Sequence, residues 1–498
     1  MKKIVLATAL LTLGMNLKSI ARDDNNKANP SNQAYHIRLK MADAKDSLVF
    51  LVHYYGKGGT TIYKSDSAMF KNGVAEFRSK DSTFVGGSYM ILMSDKRSNF
   101  EFLLNRGDDI TITALQSKLP EGIKFTNSPE NEKFQDYQRH AKTYGEEQQG
   151  LVKELESAKT KADTADIRKR GGESAKVFAD YRKKLVKENP GTLLANILRA
   201  LEKPEVPEGD HFLEDGKTKD STFAYRYYKA HYWDNFDFQD DRLIYTPLYD
   251  QLLDEYMTKM VLPWPDSVEH ESDMILKKAK GTKDVFHYSL WWLTRNVENS
   301  KVMGISDVFV YMVENYYMKG DAFWLTNDEL QKYIDRAKKM APNVIGNVAP
   351  ELKLPNVYTK KEESMLDTKA PYTVVVFYSP NCGHCKHELP QLDSAYEASL
   401  KAKGVKIYTV ATEGDEKAIG DFLTGLKVDK KWINTWDPEH VSNYHNNYDV
   451  YSTPTIYLLD SKKIIIGKRL DHSNIGNVID ITERKLKDKA KTETKPKH

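Results

Sequence analysis

Both cysteines of the 498-residue chain lie in one short run, Asn381-Cys382-Gly383-His384-Cys385. The spacing is Cys-x-x-Cys, and it sits between the β-branched apolar run Tyr372–Tyr378 and a stretch of helical character. A thiol at a helix N-terminus meets free backbone N–H groups and the positive end of the helix dipole. Both favour the thiolate, which is the attacking species in disulfide exchange. A second cysteine one turn further on is placed to resolve the mixed disulfide. Other chemistries fit this spacing less well. Attachment of a c-type haem needs histidine directly after the second cysteine, and position 386 is Lys. Structural zinc needs more ligands, and His384 and His387 would face different ways on a helix. No metal and no cofactor is expected, and thiol redox chemistry at Cys382 and Cys385 is the leading reading.

The elements that must position this pair follow from periodicity. Tyr372–Tyr378 reads as a central strand buried on both faces. A helix is expected from about Cys382 to Lys403, stopping at Gly404. Val405–Val410 reads as a strand and Glu416–Leu426 as a helix. Thr455–Leu459 and Lys463–Lys468 form a hairpin around Asp460-Ser461, and Ser473–Lys487 closes the unit as a helix. Strands and helices that alternate in this way predict an α/β fold over residues 341–487.

Several motifs of this region resemble thioredoxin-like domains of the TlpA/ResA type, the envelope thiol–disulfide oxidoreductases. Gly346-Asn347-Val348-Ala349-Pro350-Glu351-Leu352 is similar to that family's opening strand. The run from Cys382 through Glu388 to Pro390 matches Cys-x-x-Cys-x-x-Glu-x-Pro. Tyr451-Ser452-Thr453-Pro454-Thr455-Ile456 resembles the segment with the family's cis-proline. The resemblance implies a cis Thr453-Pro454 bond whose backbone faces Cys382 and pairs with an extended substrate strand. It implies that Glu388 lies beneath the cysteines and relays a proton at Cys385, and that Pro390 kinks the helix. Asn381 stands where the family usually has Trp, and Val376 where thioredoxin has a buried Asp. Gly383-His384 is the pair found in protein disulfide isomerases and tunes the couple toward oxidation, whereas the TlpA/ResA resemblance implies a reductant fed from the membrane. Direction stays open between them, as does a membrane electron donor or acceptor. The peroxiredoxin pattern Pro-x-x-x-Thr-x-x-Cys fails, with Val375 and Ser379 at its two key positions.

Length and composition frame the rest. At roughly 150 residues per domain the chain holds about three domains. Hydrophobic residues at 40% and charged residues at 29% describe a globular chain. Lys2 and Lys3, an apolar stretch to Leu17 and the small-x-small run Ser19-Ile20-Ala21 read as a signal peptide over 1–21. No cysteine lies near the cleavage point, so no lipidation is expected. Removing Lys2, Lys3 and Lys18 leaves 71 basic against 71 acidic residues. That balance gives no field for nucleic acid, and the location expected is periplasmic or otherwise exported.

A polar linker, 22–34, precedes short strands at regular spacing that predict an all-β sandwich over 35–127. Strand candidates there include Thr60–Tyr63 and Ala68–Phe70. Asn72-Gly73 is a hairpin signal, and Gly86-Gly87 and Gly107-Asp108 are turn signals. Ser128-Pro129-Glu130 opens a central all-α domain over 128–340. Its dense aromatics, Phe223 to Phe238, then Trp291, Trp292, Tyr316 and Tyr317, read first as core packing. Scattered histidines such as His53, His140 and His287 read as packing or surface residues. The front domains resemble domains of unknown function that precede such thioredoxin modules in exported proteins. Residues 488–498 form a Lys-rich tail expected to lack structure. The function expected is exchange of disulfides with envelope proteins through Cys-Gly-His-Cys. The alternative is a glycan- or peptide-binding envelope protein with an accessory or vestigial thioredoxin module.

Overall fold

A computed structural model describes residues 33–493 except 46, 57–60, 301, 429–430 and 438. The leader over 1–21, nearly all of the linker and the last five residues lie outside the described residues. Eight strands come first: β1 (Tyr35–Met41), β2 (Leu48–Tyr54), β3 (Ile62–Met69), β4 (Val74–Ser79), β5 (Gly86–Met93), β6 (Asn99–Asn105), β7 (Asp108–Ala114) and β8 (Lys124–Thr126). They form two four-stranded sheets, ordered β4-β1-β7-β8 and β3-β2-β5-β6. Alternate residues such as Ile37 and Leu39 from one sheet and Leu51 and Ile91 from the other are buried in a shared core. Thr60–Tyr63 and Ala68–Phe70 are not two strands. The polar residues between them pair along β2, so β3 is one exposed strand. Asn72 and Gly73 have φ of 52° and 72° and make a tight turn bridged by Lys71 and Val74, but β3 and β4 form no hairpin: the turn carries the chain from one sheet to the other.

Gly86-Gly87 is not a turn. Both residues lie in β5, where the helical region presses on the sheet. A Cβ on Gly87 would lie 2.2 Å from the Tyr245 Cβ. Glycine is there for close approach of two elements, a use that resembles a turn signal in sequence.

The central region is helical, as expected. Pro129 starts the helix Pro129–Ser157 behind Ser128, and Lys161–Glu188 follows with a capping box between Thr160 and Asp163. Further helices at Leu193–Ala200, Pro265–Ala279, Asp284–Glu298 and Asn327–Met340 share one core. Tyr232, Trp233, Phe236, Phe238 and Tyr317 are buried in it, whereas Tyr225 is exposed and Phe223, Trp291, Trp292 and Tyr316 are only half-buried, so packing accounts for part of the aromatic run.

The C-terminal part holds a small ribbon of β9 (Lys353–Pro355) and β10 (Glu362–Ser364). It also holds a five-stranded sheet of β11 (Tyr372–Tyr378), β12 (Val405–Ala411), β13 (Ile433–Trp436), β14 (Thr455–Leu459) and β15 (Ile465–Lys468). The order is β13-β12-β11-β14-β15. β11, β12 and β13 run parallel, β14 pairs antiparallel to β11, and β15 pairs antiparallel to β14. Central β11 is buried on both faces because alternate side chains enter separate cores. Val374 and Val376 pack with Leu389 and Ile475, whereas Val375 and Phe377 pack with Tyr408 and Tyr457. This is a thioredoxin-like α/β unit behind β sheets and a helical region. Its last helix runs from Ile475 to Glu493, past Lys487 where the sequence suggested an end. The Lys- and Ala-containing segment there has the propensity to continue a helix.

Buried polar contacts join this unit to the helical region. The Lys468 ammonium donates to the Asp307 carboxylate and, at 3.1 Å, to the Asn343 side-chain oxygen. The Ile345 N–H donates to the other Asp307 oxygen at 2.9 Å. Lys468 and Asp307 are each 5% exposed. Nearby, the Asp449 carboxylate accepts from Arg336 at 3.2 Å and from Arg469 at 2.7 Å.

Candidate active site

The chain leaves β11 through Ser379-Pro380-Asn381, and Cys382 is the N-cap of the helix Gly383–Ala395. Ser379 shapes this turn. Its carbonyl accepts the Cys382 N–H at 3.2 Å, and its hydroxyl accepts the Asn381 N–H at 3.2 Å. The same hydroxyl donates to the Glu413 carboxylate at 2.9 Å. Glu413 comes from the turn after β12, the strand beside β11. Sequence reasoning missed this pair; the visible signal was a carboxylate just past a parallel neighbour strand.

Both thiols are free. Cys382 is half-buried, and its Sγ donates to the Thr453 carbonyl at 3.1 Å. The Thr453-Pro454 bond is cis. Burial opposes ionisation of Cys382, but hydrogen bonds from the Thr453 side chain and the Cys385 and His384 backbone outweigh it and lower its pKa. Cys385 is fully buried among Val374, Val376 and Leu389. Burial pushes its pKa up to about 12, and hydrogen bonding to Cys382 adds to the rise. One half-buried, acidified thiol therefore stands beside a fully shielded, basic one. That arrangement can form a mixed disulfide at Cys382 and close a second bond from Cys385.

The remaining expected residues divide. Gly383 and His384 are exposed in the first helical turn, and a Cβ on Gly383 would meet nothing within 4 Å. Packing does not require glycine there. Glu388 is largely shielded, but its oxygens go to His472, accepting from its N–H at 2.6 Å and meeting Nδ1 at 3.0 Å. Among the described residues no hydrogen bond links Glu388 to Cys385. His472 lies 84 residues away and carried no signal in the motif. Pro390 sits inside the helix, which widens into a π-helical turn over Tyr396–Leu400. Among the described residues no cluster of three or more His, Cys, Asp or Glu side chains could hold a metal.

Thr453 also lines a cleft of about 460 Å³, with Glu413, Trp436, Asp437, Tyr444 and Tyr451 among its walls.

Comparison with known proteins adds six matches. Residues 345–467 match the AhpC/TSA family, and residues 180–343 match a domain of unknown function, DUF5106. Sporulation thiol-disulfide oxidoreductase A of Bacillus subtilis is 29% identical over 103 residues, 20% of this chain and 60% of that protein. The thioredoxin-like protein YneN of the same species is 28% identical over 127 residues, 24% of this chain and 68% of that protein. The chain thus spans less than two thirds of the first of these relatives. Among solved structures, a domain of a possible thiol-disulfide isomerase from Cytophaga hutchinsonii has 31% identity and a TM-score of 0.28, covering 30% of this chain and 99% of that one. A thioredoxin-like protein from Bacteroides caccae has 18% identity and a TM-score of 0.42, covering 56% and 98%.

Proposed function

From a C-terminal AhpC/TSA thioredoxin-like domain that follows a DUF5106 domain, we propose an exported thiol–disulfide oxidoreductase that acts on proteins through Cys382 and Cys385. The observation that carries this reading is the asymmetry of the two thiols. Cys382 is accessible and lowered in pKa at a helix start, and Cys385 is buried and raised. Val375 and Ser379 at the key positions of the peroxiredoxin pattern favour disulfide exchange over peroxide reduction.

In the reducing direction, the Cys382 thiolate attacks one sulfur of a substrate disulfide. The substrate S–S bond breaks, a Cys382–substrate bond forms, and the other substrate sulfur leaves as a thiolate. Cys385 then loses its proton and attacks the Cys382 sulfur. The mixed disulfide breaks, the Cys382–Cys385 bond forms, and the second substrate sulfur leaves. The substrate gains two electrons and two protons, and the dithiol loses them. Every step reverses with a more reducing partner. The Thr453 main chain beside Cys382 offers a pairing edge for an extended substrate segment. Glu388 enters as half of a Glu388–His472 pair on the helix that carries Cys385, a proton store for the second step. Gly383 and His384 set the surface around the attacking sulfur.

The leader over 1–21 supports export, and no helix among the described residues is long and apolar enough to cross a membrane. Its partners in this reading are protein thiols and disulfides and a membrane electron donor or acceptor. The test is insulin reduction driven by dithiothreitol, comparing the chain with a Cys382→Ser, Cys385→Ser double variant. Faster precipitation with the unaltered chain is expected. Equal rates refute the reading and leave the binding alternative.

A further inference from the structure

The cleft beside Thr453 is built from three separate segments. The turn after β12 gives Glu413, the end of β13 gives Trp436 and Asp437, and the loop before Pro454 gives Tyr451 and Thr453. Two of its wall residues tie it to the turn that carries Cys382. Thr453 accepts from Cys382 Sγ, and Glu413 holds the Ser379 hydroxyl that shapes the Cys382 turn. A substrate strand paired at Thr453 must therefore place a flanking side chain over this space.

The walls state which side chain. Glu413 and Asp437 line the cleft together with His440 and His445, and no Lys or Arg does. Asp437 is 2% exposed, and its oxygens are fixed by the Val441 N–H and by the Ser442 N–H and hydroxyl. These three donors satisfy Asp437 without a counter-ion, so its charge adds to the negative field of the cleft, while Glu413 is the exposed carboxylate that a cation can meet. Aromatic faces supply the other half. Tyr451 is 63% exposed at the mouth and stacks against His445, with ring centroids 5.7 Å apart, and Trp436 lines the cleft beside Asp437. Carboxylates and aromatic faces together accept an ammonium or guanidinium, and they repel an acidic side chain.

We propose that this cleft is a specificity subsite for a Lys or Arg side chain next to the substrate cysteine. The inference rests on the exchange reading above and narrows its substrate class to disulfides in basic sequence surroundings.

The test uses the reduced full-length chain and three peptides. Each carries one cysteine capped as a 2-thiopyridyl disulfide and flanked by Lys, Ala or Glu. The rate of thiopyridone release is read for each. The Lys peptide is expected to react about fivefold faster than the Ala peptide, the scale of one ion pair or cation–π contact, and the Glu peptide slowest. In Glu413→Gln and, separately, Asp437→Asn, the Lys-to-Glu rate ratio should fall severalfold. In Glu397→Gln, outside the cleft, it should not. Tyr451→Ala keeps both carboxylates and should lower the Lys-to-Ala ratio. Equal rates for the three peptides, or a ratio that Glu397→Gln lowers as much as the cleft variants, overturn the subsite. Failure of all three peptides to react overturns the exchange reading instead.

Discussion

Replacing each cysteine in turn by alanine tests the assignment of roles most directly. Cys382 lies below the ordinary thiol value of 9.0, and Cys385 is pushed up to about 12. A gap of at least about three units makes the thiolate fraction at neutral pH at least about a thousandfold larger at Cys382. The more basic thiolate is the better nucleophile, and a Brønsted slope of about 0.4–0.5 returns roughly 15- to 30-fold to Cys385. Cys382 in Cys385→Ala should then be alkylated at least about 30-fold faster than Cys385 in Cys382→Ala, before burial is counted. Losing Cys382 removes two smaller influences that raise Cys385, but burial, the first cause, stays. Iodoacetamide labelling followed by mass spectrometry across pH gives both rates. The Cys382 profile should level off below the pH at which Cys385 begins to react. Labelling of Cys385 within about tenfold of Cys382 near neutrality would refute the assignment, because ionisation and access both oppose it.

Four further outcomes follow from other parts of the molecule. Asp307→Ala leaves the Lys468 charge buried without its partner and should cost about 3–5 kcal/mol in urea unfolding. Burial lowers the Lys468 pKa below 10.5 in the folded chain, so stability rises with pH from the folded value toward 10.5. The deficit of Asp307→Ala should therefore shrink in alkali, and a pH-independent deficit contradicts the pairing. Gly87→Ala forces a Cβ against Tyr245 and should lower thermal stability by about 1–3 kcal/mol, whereas an unchanged melting temperature denies the close approach. Glu388→Gln should slow closure of the Cys382–Cys385 bond. Equal effects on the first and second steps, separated by single-turnover kinetics, count against a proton store. A chain starting at Ala341 keeps the whole five-stranded sheet and should fold and reduce a small disulfide, though less stably without Asp307 and Arg336; a chain that circular dichroism shows unfolded overturns this.

What sequence could read here was local. Cys382, Cys385 and the strand before them announce themselves by spacing and by an unbroken apolar run, because a central parallel strand is buried on both faces. Thr453-Pro454 was legible only through resemblance, since nothing local says that Thr453, 71 positions on, returns to Cys382. The partners that complete the site were silent for the same reason. Glu413, His472 and Asp437 are ordinary polar residues until the sheet order brings them together. Gly86-Gly87 shows the opposite failure, a strong local signal with a non-local cause in Tyr245. Lys468 and Asp307, 161 positions apart, could not be paired from charge alone in a chain this rich in both signs.

The Lys468–Asp307–Asn343 cluster has a consequence for how a partner would be delivered. A redox unit on a loose tether meets a partner docked elsewhere on the same chain at an effective concentration set by linker length, commonly millimolar for short flexible linkers. Here the unit is seated on its neighbour by buried charge, and Arg336 reaches from the helical region to the Asp449 loop. The tether does not sample volume, so Cys382 keeps one fixed bearing to the surfaces in front of it. A partner held there meets the thiol at very high effective concentration if its disulfide lies along that bearing, and at almost none if it does not. Such a chain selects partners by where the disulfide sits on their surface as well as by the residues around it.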